Sequence, residues 1–312
     1  MVENINDHKE IFDNESPSEY EKHCILCKSS VEYQRIFKGY EKDNQFYEVY
    51  VCPECRLGIT LPFPDKEQLN RLYSTGSYRE HQSRFINPVE KLIRFFRKSR
   101  QKQIEAIIPQ GRILDMGCAR GVFLSIMRER GWETFGLELN DETASYARNE
   151  LGLDVKAGRL VDAQFENESF DVITIWHVFE HLPEPRLIIE ECSRILKPGG
   201  LLVIALPNFD SLQAKISGRH WFHLDVPYHL YHFTLKNLSL LLKKSSFKII
   251  KVKRFSFEFN PFGYLQSFFN MTRIENNLLY NILKSRTIRK SVIVQPLKGQ
   301  ISVDKTIIAE KE

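Results

Sequence analysis

From residue 111 onward the sequence alternates between short apolar runs and helical patterns, and this alternation restricts the fold more than any other feature. The strand-like runs are RILDMG, TFGLELN, LDVKAG, FDVITIWH and LLVIALP, with FKIIKVKRFSFEF and KTIIAEKE further on. Between them, FLSIMRERG, DETASYARNELG and PRLIIEECSRILKPGG have the spacing of helices. Strands that alternate with helices favour βαβ units. We therefore predict an α/β fold with a doubly wound, mostly parallel sheet.

Two Cys-x2-Cys pairs precede this region. Cys24 and Cys27 form the first pair, Cys52 and Cys55 the second, and the strand-like segments FYEVYV and GITL lie beside the second pair. The first residues, MVENINDHKE, do not have the pattern of a signal peptide. In that context paired cysteines indicate thiolate metal ligation rather than disulfides. Four thiolates fill a tetrahedral zinc site, so we predict a structural zinc ribbon, with redox dithiols as the alternative.

These patterns divide the chain into four predicted regions. Residues 1–19 are polar and predicted to be a disordered tail, and residues 20–62 form the zinc-ribbon module. Residues 63–104 form a helical linker and lid, and residues 105–312 form the α/β domain. No apolar run reaches the ~18 residues that a membrane span needs. We expect a cytoplasmic protein without a transmembrane segment.

Charge is distributed unevenly along the chain. The formal net charge of +4 at pH 7 is too small to indicate a nucleic-acid partner. Residues 243–312, however, carry 14 lysines and arginines against 5 acidic residues. Residues 88–108 have a helical apolar stripe with basic residues at the other positions. The basic face of this helix is interpreted as solvated, and peripheral contact with a membrane stays open as an alternative.

The first strand-to-helix turn of the α/β region carries the main binding motif. It has the form D-x-G-x-x-x-G, with Asp115, Gly117 and Gly121 at the defined positions, and Glu138 ends the second strand. Glycines permit a tight turn and let a ligand lie against the backbone. The dinucleotide pattern would be G-x-G-x-x-G, and a leading carboxylate suits a diphosphate poorly. A ligand with an α-amino group and a ribose suits this turn better.

With DMGCARG, GLELN, SFDVITIWHVFEHL and LKPGGLLVIALPN, residues 105–255 resemble the class I S-adenosylmethionine-dependent methyltransferases. The resemblance implies a Rossmann-like fold and S-adenosyl-L-methionine as the methyl donor. In that family the glycine loop surrounds the methionine part of the donor, and the acid at the end of strand two holds the ribose. Carried over, the implied donor-binding residues are Asp115, Gly117, Gly121, Glu138, Leu160 beside the adenine, and Trp176 and His177 beneath the methionine tail.

The cysteine pairs, ITLPFP, a Tyr-x4-Tyr that ends at Tyr78, and HLDVPYHLYHFT resemble a bacterial subgroup of these enzymes. That resemblance implies a small-molecule acceptor, a nucleotide- or carrier-linked sugar in glycan biosynthesis. Related sugar C-methyltransferases carry a Glu-His pair where this chain has Tyr228-His229. The missing glutamate argues against C-methylation and leaves His229 as the predicted base. His181 is predicted to orient the ligands, and Tyr78 to close the pocket.

The sequence leaves three alternatives open. An RNA methyltransferase whose zinc ribbon grips nucleic acid is the main one, although no basic and aromatic RNA-binding pattern is present in the sequence. A non-catalytic scaffold that has lost the donor is the second, against which the complete glycine motif and Glu138 argue. The third concerns the histidines near residue 180 and between 220 and 232, some of which have residue types and spacing compatible with a metal site.

Overall fold

The computed structural model of the protein describes residues 23–28, 32–42, 45–65, 67–69, 87–253, 267, 270 and 304–312. Tyr78, the predicted tail and most of the predicted lid lie outside the described residues. None of the helices in the described part of the chain combines the length and apolarity that crossing a bilayer needs.

The central element is a seven-stranded sheet with the order β10-β11-β8-β7-β4-β5-β6. Strands β4 to β8 are parallel to one another, and β11 lies antiparallel between β8 and β10. The strands are β4 Arg112–Met116, β5 Glu133–Glu138, β6 Asp154–Ala157, β7 Phe170–Trp176, β8 Leu196–Pro207, β10 Phe247–Lys253 and β11 Asp304–Lys311. This arrangement confirms the predicted mostly parallel α/β sheet.

Six α-helices connect or cover the strands in the described ranges. They are α1 Asn87–Glu105, α2 Val122–Glu129, α3 Asp141–Leu151, α4 Pro185–Ile195, α5 Leu212–Ser217 and α6 Leu235–Lys244. Local signals fix several starts: the Asn140 side chain accepts a hydrogen bond from the Thr143 amide at α3, and Thr234 and Asn237 form a capping box at α6.

The predicted end of helix α4 was wrong. The segment LKPGG was assigned to the helix, but α4 ends at Ile195 and strand β8 begins at Leu196. Pro198 lacks the amide that a helix interior needs, and Gly199 has a φ of +73°. The chain therefore leaves the helix before this turn and enters the sheet directly.

Alternate residues along the strands pack on opposite faces of the sheet. Ile113 and Val172 belong to one buried cluster, and Leu114 and Ile173 belong to the other. This period of two with both faces covered by apolar groups is what a doubly wound sheet requires. Burial on both faces explains why these strands are nearly continuous apolar runs in the sequence.

The cysteine-containing segment forms a second sheet that includes part of the α/β region. Its order is β1-β2-β3-β9, with β1 Gln34–Lys42, β2 Gln45–Val51, β3 Gly58–Leu61 and β9 Tyr231–His232. The sequence predicted β2 and β3 but neither β1 nor β9. Because β3 pairs with β9 and shares one buried cluster with the large sheet, the two parts are joined, while the predicted boundary at residue 62 stays a prediction.

Candidate functional site

The glycine motif forms a tight turn at the carboxyl end of β4. Gly117 and Gly121 have φ values of +74° and +76°, which side chains rarely adopt. A Cβ atom at Gly117 would collide with Val178, and one at Gly121 would collide with Leu153. Ala119 between them also has a positive φ, +48°, and such conformations cluster at ligand sites. A ligand could therefore lie directly against the backbone of this turn.

Glu138 is held against this turn by two backbone amides. Its Oε2 accepts a hydrogen bond from the Ala119 amide at 3.0 Å, and its Oε1 accepts one from the Asn140 amide at 3.1 Å. Each carboxylate oxygen has two lone pairs, so each keeps one for a further donor. This is the arrangement that a ribose with two hydroxyl donors fits, as the sequence predicts for Glu138.

Asp115 lies behind the turn and is buried. Thr174 Oγ1 donates a hydrogen bond to its Oδ1 at 2.5 Å. Burial raises the pKa of Asp115 to about 6, although the Thr174 hydrogen bond and the positive charges of Arg100 and Arg97 act in the opposite direction. The carboxyl group is thus mostly ionised at pH 7, and it becomes protonated when the pH falls below about 6.

Helix α1 contributes a residue that the sequence analysis did not single out. Arg100 is only 7% exposed, and its guanidinium lies 4.3 Å from the centre of the Trp176 ring at the end of β7. The interpretation of the whole basic face as solvated is therefore wrong at this position. The signal was present: Arg100 stands four residues before the fully buried Ile104, on the same face of the helix.

The other donor-binding residues implied by the resemblance lie at the same edge of the sheet. Leu160 is fully buried at the start of a 3-10 helix, Leu160–Asp162, and His177 follows β7 with a φ of +54°. The indole nitrogen of Trp176 is buried and has no hydrogen-bond partner among the described residues. Together with the glycine turn and Glu138, these features fit S-adenosylmethionine. The individual roles stay predictions.

A compact cluster of Glu180, His181 and His229 lies directly after β7. The His181 Nδ1 and the carbonyl oxygen of Tyr228 are 2.9 Å apart, and the His229 Nδ1 and the carbonyl oxygen of His223 are 3.0 Å apart. The two imidazole rings meet edge to face, with their centres 4.6 Å apart. A histidine is thereby brought from each of two loops to one point, at the edge of the sheet where β4 and β7 both end.

Burial determines the charge state of this cluster. It lowers the pKa of His181 to about 4 and that of His229 to about 4, so both rings are neutral at pH 7. Glu180 Oε1 lies 3.9 Å from His229 Nε2 and 3.7 Å from His177 Nδ1. Glu180 Oε2 is buried without a hydrogen-bond partner among the described residues. The site combines neutral imidazoles with an incompletely satisfied carboxylate.

A glutamate that is distant in the sequence lies close to His229. Position 228 is a tyrosine, but the side chain of Glu180 reaches His229 from the loop after β7. Glu180 lies within the motif SFDVITIWHVFEHL, but the sequence analysis gave it no role. A glutamate 49 positions away from its histidine has no local signal, since their approach depends on the packing of two loops.

The four cysteines of the N-terminal segment converge on one point. The Sγ atoms of Cys24 and Cys55 are 3.5 Å apart, and those of Cys27 and Cys52 are 3.7 Å apart. A tetrahedron with Zn–S bonds of 2.3 Å has edges of ~3.8 Å, so the donor set and its spacing fit zinc. None of the six cysteines forms a disulfide. A hydrogen bond from the Cys55 thiol lowers the pKa of Cys24 to about 5, which favours one thiolate in the group.

The sheet order, the glycine turn and the acidic residue that closes it define a class I S-adenosylmethionine-dependent methyltransferase domain. The sequence pattern of the Methyltransferase domain family matches residues 78–252, more than half of the chain. The chain belongs to this methyltransferase family.

Two curated relatives are ubiquinone biosynthesis O-methyltransferases. The one from Hahella chejuensis is 36% identical over 109 residues, which cover 33% of this chain and 46% of the relative. The one from Idiomarina loihiensis is 32% identical over 106 residues, which cover 31% of this chain and 42% of the relative. The chain thus spans less than half the length of these relatives.

Of two similar solved structures, the first supports the same fold. A protein from Galdieria sulphuraria, proposed as a sarcosine dimethylglycine methyltransferase, superposes with a TM-score of 0.50 at 16% identity, covering 75% of this chain and 91% of that one. A SAM-dependent methyltransferase from Archaeoglobus fulgidus gives a TM-score of 0.48 at 23% identity, covering 69% of this chain and 92% of that one.

Proposed function

We propose that this protein transfers the methyl group of S-adenosylmethionine to a hydroxyl oxygen of a small acceptor, and that the acceptor is a sugar, nucleotide- or carrier-linked. The observation that carries the proposal is the position of the buried Glu180–His181–His229 cluster, which follows β7 at the edge of the sheet that also carries the glycine turn. The relatives named as O-methyltransferases support oxygen as the methylated atom. The sugar class rests on the resemblance in the N-terminal segment and around His229.

The donor supplies an electrophilic methyl group on a sulfonium when it is bound. The chain's own task is to align the acceptor oxygen with that methyl group and to exclude water. Glu138 and the glycine turn orient the donor, and the cluster after β7 handles the acceptor hydroxyl. As the oxygen–carbon bond forms and the sulfur–carbon bond breaks, the hydroxyl proton must leave, and the predicted role of His229 is to take part in that step.

The four clustered cysteines are proposed to hold one structural zinc ion. Their spacing and their thiol chemistry support this role, and four protein ligands leave no coordination position for a substrate. Zinc at this point would fix the turn that leads into β3, which pairs with β9 immediately after His229.

Incubation with labelled S-adenosylmethionine and a panel of acceptors tests the proposal. The panel contains nucleotide sugars, polyprenyl-linked sugars, a catechol and a structured RNA, and the products are analysed by mass spectrometry. We expect a gain of one methyl group, attached to oxygen, on a sugar. Methylation of the catechol or the RNA alone would contradict the sugar assignment, and methylation of carbon or nitrogen would contradict the hydroxyl acceptor.

A further inference from the structure

We propose that Glu180, His181 and His229 bind a divalent transition-metal ion, separate from the ion at the cysteines. Their ligand atoms, a carboxylate oxygen and one ring nitrogen from each histidine, all lie within 4.8 Å of one another. The three groups come from the two loops that enclose the same edge of the sheet. Two imidazoles and one carboxylate form a common donor set for such ions, and the set leaves coordination positions open.

The hydrogen bonds of the two histidines orient the correct nitrogen atoms. Each Nδ1 faces a backbone carbonyl, Tyr228 O for His181 and His223 O for His229. A carbonyl accepts a hydrogen bond, so Nδ1 carries the proton in each neutral ring and Nε2 carries the lone pair. Metal-binding histidines almost always donate the second ring N–H in this way, which fixes both the tautomer and the ring orientation.

The buried carboxylate is the independent observation that favours a cation. Glu180 is 2% exposed, and its Oε2 has no hydrogen-bond partner among the described residues. Its Oε1 lies 3.9 Å from His229 Nε2, a distance too long for a hydrogen bond. A buried negative charge without such compensation is costly. A cation between the carboxylate and the two imidazoles would remove that cost.

The backbone holds the ligands close to the spacing that an ion requires. The Leu230 amide donates a hydrogen bond to the carbonyl oxygen of Glu180 at 3.0 Å, which joins the two loops next to the side chains. Metal–nitrogen and metal–oxygen bonds of ~2.1 Å place neighbouring ligand atoms ~3.0–3.4 Å apart. Glu180 Oε1 and His229 Nε2, now 3.9 Å apart, would have to approach by about 0.5–0.9 Å, and a pair at the 4.8 Å limit by about 1.4–1.8 Å. Asp225 Oδ2, 3.9 Å from His229 Nε2, lies near enough to add another oxygen ligand.

The donor set distinguishes between ions. Imidazole with carboxylate suits first-row ions such as Mn²⁺, Fe²⁺ and Zn²⁺, whereas Mg²⁺ prefers oxygen ligands alone. Thiolates select Zn²⁺ over Mn²⁺, so the cysteine site and the histidine site are expected to differ in preference. An Mn²⁺ titration of protein that already contains zinc consequently reports on the histidine site.

A metal ion at this site would take part in the proposed methyl transfer. This catalytic role rests on the proposed function, whereas metal binding itself does not. An ion with open positions can coordinate the acceptor hydroxyl and lower the pKa of that group as a Lewis acid. The hydroxyl would lose its proton to a solvent molecule first. The resulting oxyanion would then form the oxygen–carbon bond as the donor's sulfur–carbon bond breaks, and the sulfur keeps the electron pair. His229 would act as a ligand in this case, in place of the base role that the sequence predicts.

Electron paramagnetic resonance of Mn²⁺ added to the zinc-containing full chain, without donor or acceptor, tests the binding step. We expect one bound Mn²⁺ per chain in the wild type. In Glu180→Gln and His229→Gln we expect affinity at least ~10-fold weaker. Glu190→Gln is the matched control, because Glu190 is a half-exposed helical glutamate that pairs with Arg186 and is not one of the clustered ligands. Calorimetric titration with Zn²⁺ repeats the measurement with an ion that binds imidazole more tightly. Circular dichroism and donor binding verify that each variant is folded.

The outcomes separate this inference from the proposed function. A wild type that takes up neither Mn²⁺ nor a second Zn²⁺, or variants that bind them as the wild type does, would overturn the metal site whether or not methyl transfer is observed. If the wild type binds the ion but no acceptor is methylated, the metal site stands and the proposed function fails. Methyl transfer that is unchanged after removal of the second ion would return His229 to the role of base.

Discussion

Thr60 Oγ1 donates a hydrogen bond to the carbonyl oxygen of His229 at 2.7 Å and lies 3.1 Å from the Nε2 of His232. The Thr60 amide also donates to the carbonyl oxygen of Leu230 at 3.0 Å. Thr60 is fully buried on β3. The strand that follows the second cysteine pair therefore holds the loop of the candidate catalytic histidine directly.

Thr60→Val is expected to weaken this connection without changing the size of the side chain. The His229 carbonyl would lose a buried donor, which costs about 1–3 kcal/mol. Urea unfolding should show a destabilisation of that order, and turnover should fall because the His229 loop loses its support. Thr60→Ser keeps the hydroxyl and should stay close to the wild type in turnover. Equal turnover in Thr60→Val and the wild type would show that the contact does not position the loop.

One zinc ion per chain held by the four cysteines, in addition to any ion at the histidine cluster, is the expected result of elemental analysis on reduced, freshly purified protein. Cys24→Ser should lose it, because a structural site needs all four thiolates. Cys192→Ala is the matched control: Cys192 is a buried cysteine on α4, apart from the cluster, and this variant should keep its zinc. Wild-type protein without stoichiometric zinc would contradict the assignment.

Removal of zinc should lower the stability of the whole protein in one transition. The sequence alone suggests an appended module that unfolds first, but Leu57 and Ile59 pack in the same buried cluster as Leu114 and Ile173 of the large sheet. The free energy of metal binding therefore stabilises the large sheet as well as the cysteine-containing sheet. Thermal unfolding followed at two wavelengths should give coincident curves, and two separate transitions would contradict the coupling.

Donor binding should weaken as the pH falls through the pKa of Asp115. Burial raises this pKa to about 6, so the carboxylate that favours the donor's positive charge is roughly tenfold less populated at pH 5 than at pH 7. We expect the dissociation constant to rise by up to about tenfold over that interval. Calorimetry at the two pH values measures it. Asp115→Asn keeps an oxygen acceptor for Thr174 and should give a much flatter profile, and an equally steep profile in that variant would assign the effect to another group.

The raised pKa of Asp115 affects the stability of the donor-free protein in the opposite direction: a fall in pH stabilises the fold, although it weakens donor binding. The folded state holds the Asp115 proton more tightly than the unfolded state, where the pKa is 3.8. The contribution of this group to the free energy of unfolding is therefore present at low pH and is lost as the pH rises from about 4 to about 6. Donor-free Asp115→Asn should lack this dependence.

The strands, most helices and the glycine turn could be predicted from the sequence because each has a local cause. Apolar runs between helical patterns give the parallel strands, and Glu138 stands at the end of its strand in both the sequence and the structure. The order of the outer strands could not be predicted in this way. Strand β11 follows β10 in the sequence but lies between β8 and β10 in the sheet. No local pattern specifies that insertion.

Contacts between distant segments account for the rest of the site. The approach of Glu180 to His229 and the pairing of β3 with β9 both depend on loop packing. Arg100 is a clearer omission, because its helical position relative to Ile104 placed it on the buried face. The positive charge of Arg100 suggested a solvated side chain. In the structure its guanidinium packs on the Trp176 ring instead.

Calorimetric titration with S-adenosylmethionine, comparing the wild type with Glu138→Ala, tests whether the glycine turn and Glu138 bind the methyl donor. The wild type should bind one donor molecule per chain. Loss of two charge-assisted hydrogen bonds to the ribose, each worth roughly 1.5–3 kcal/mol, should raise the dissociation constant at least ~10-fold in the variant. Glu138→Gln, which retains one oxygen acceptor, should fall between them. A wild type that does not bind the donor, or a folded Glu138→Ala that binds it with unchanged affinity, would show that this is not the donor site.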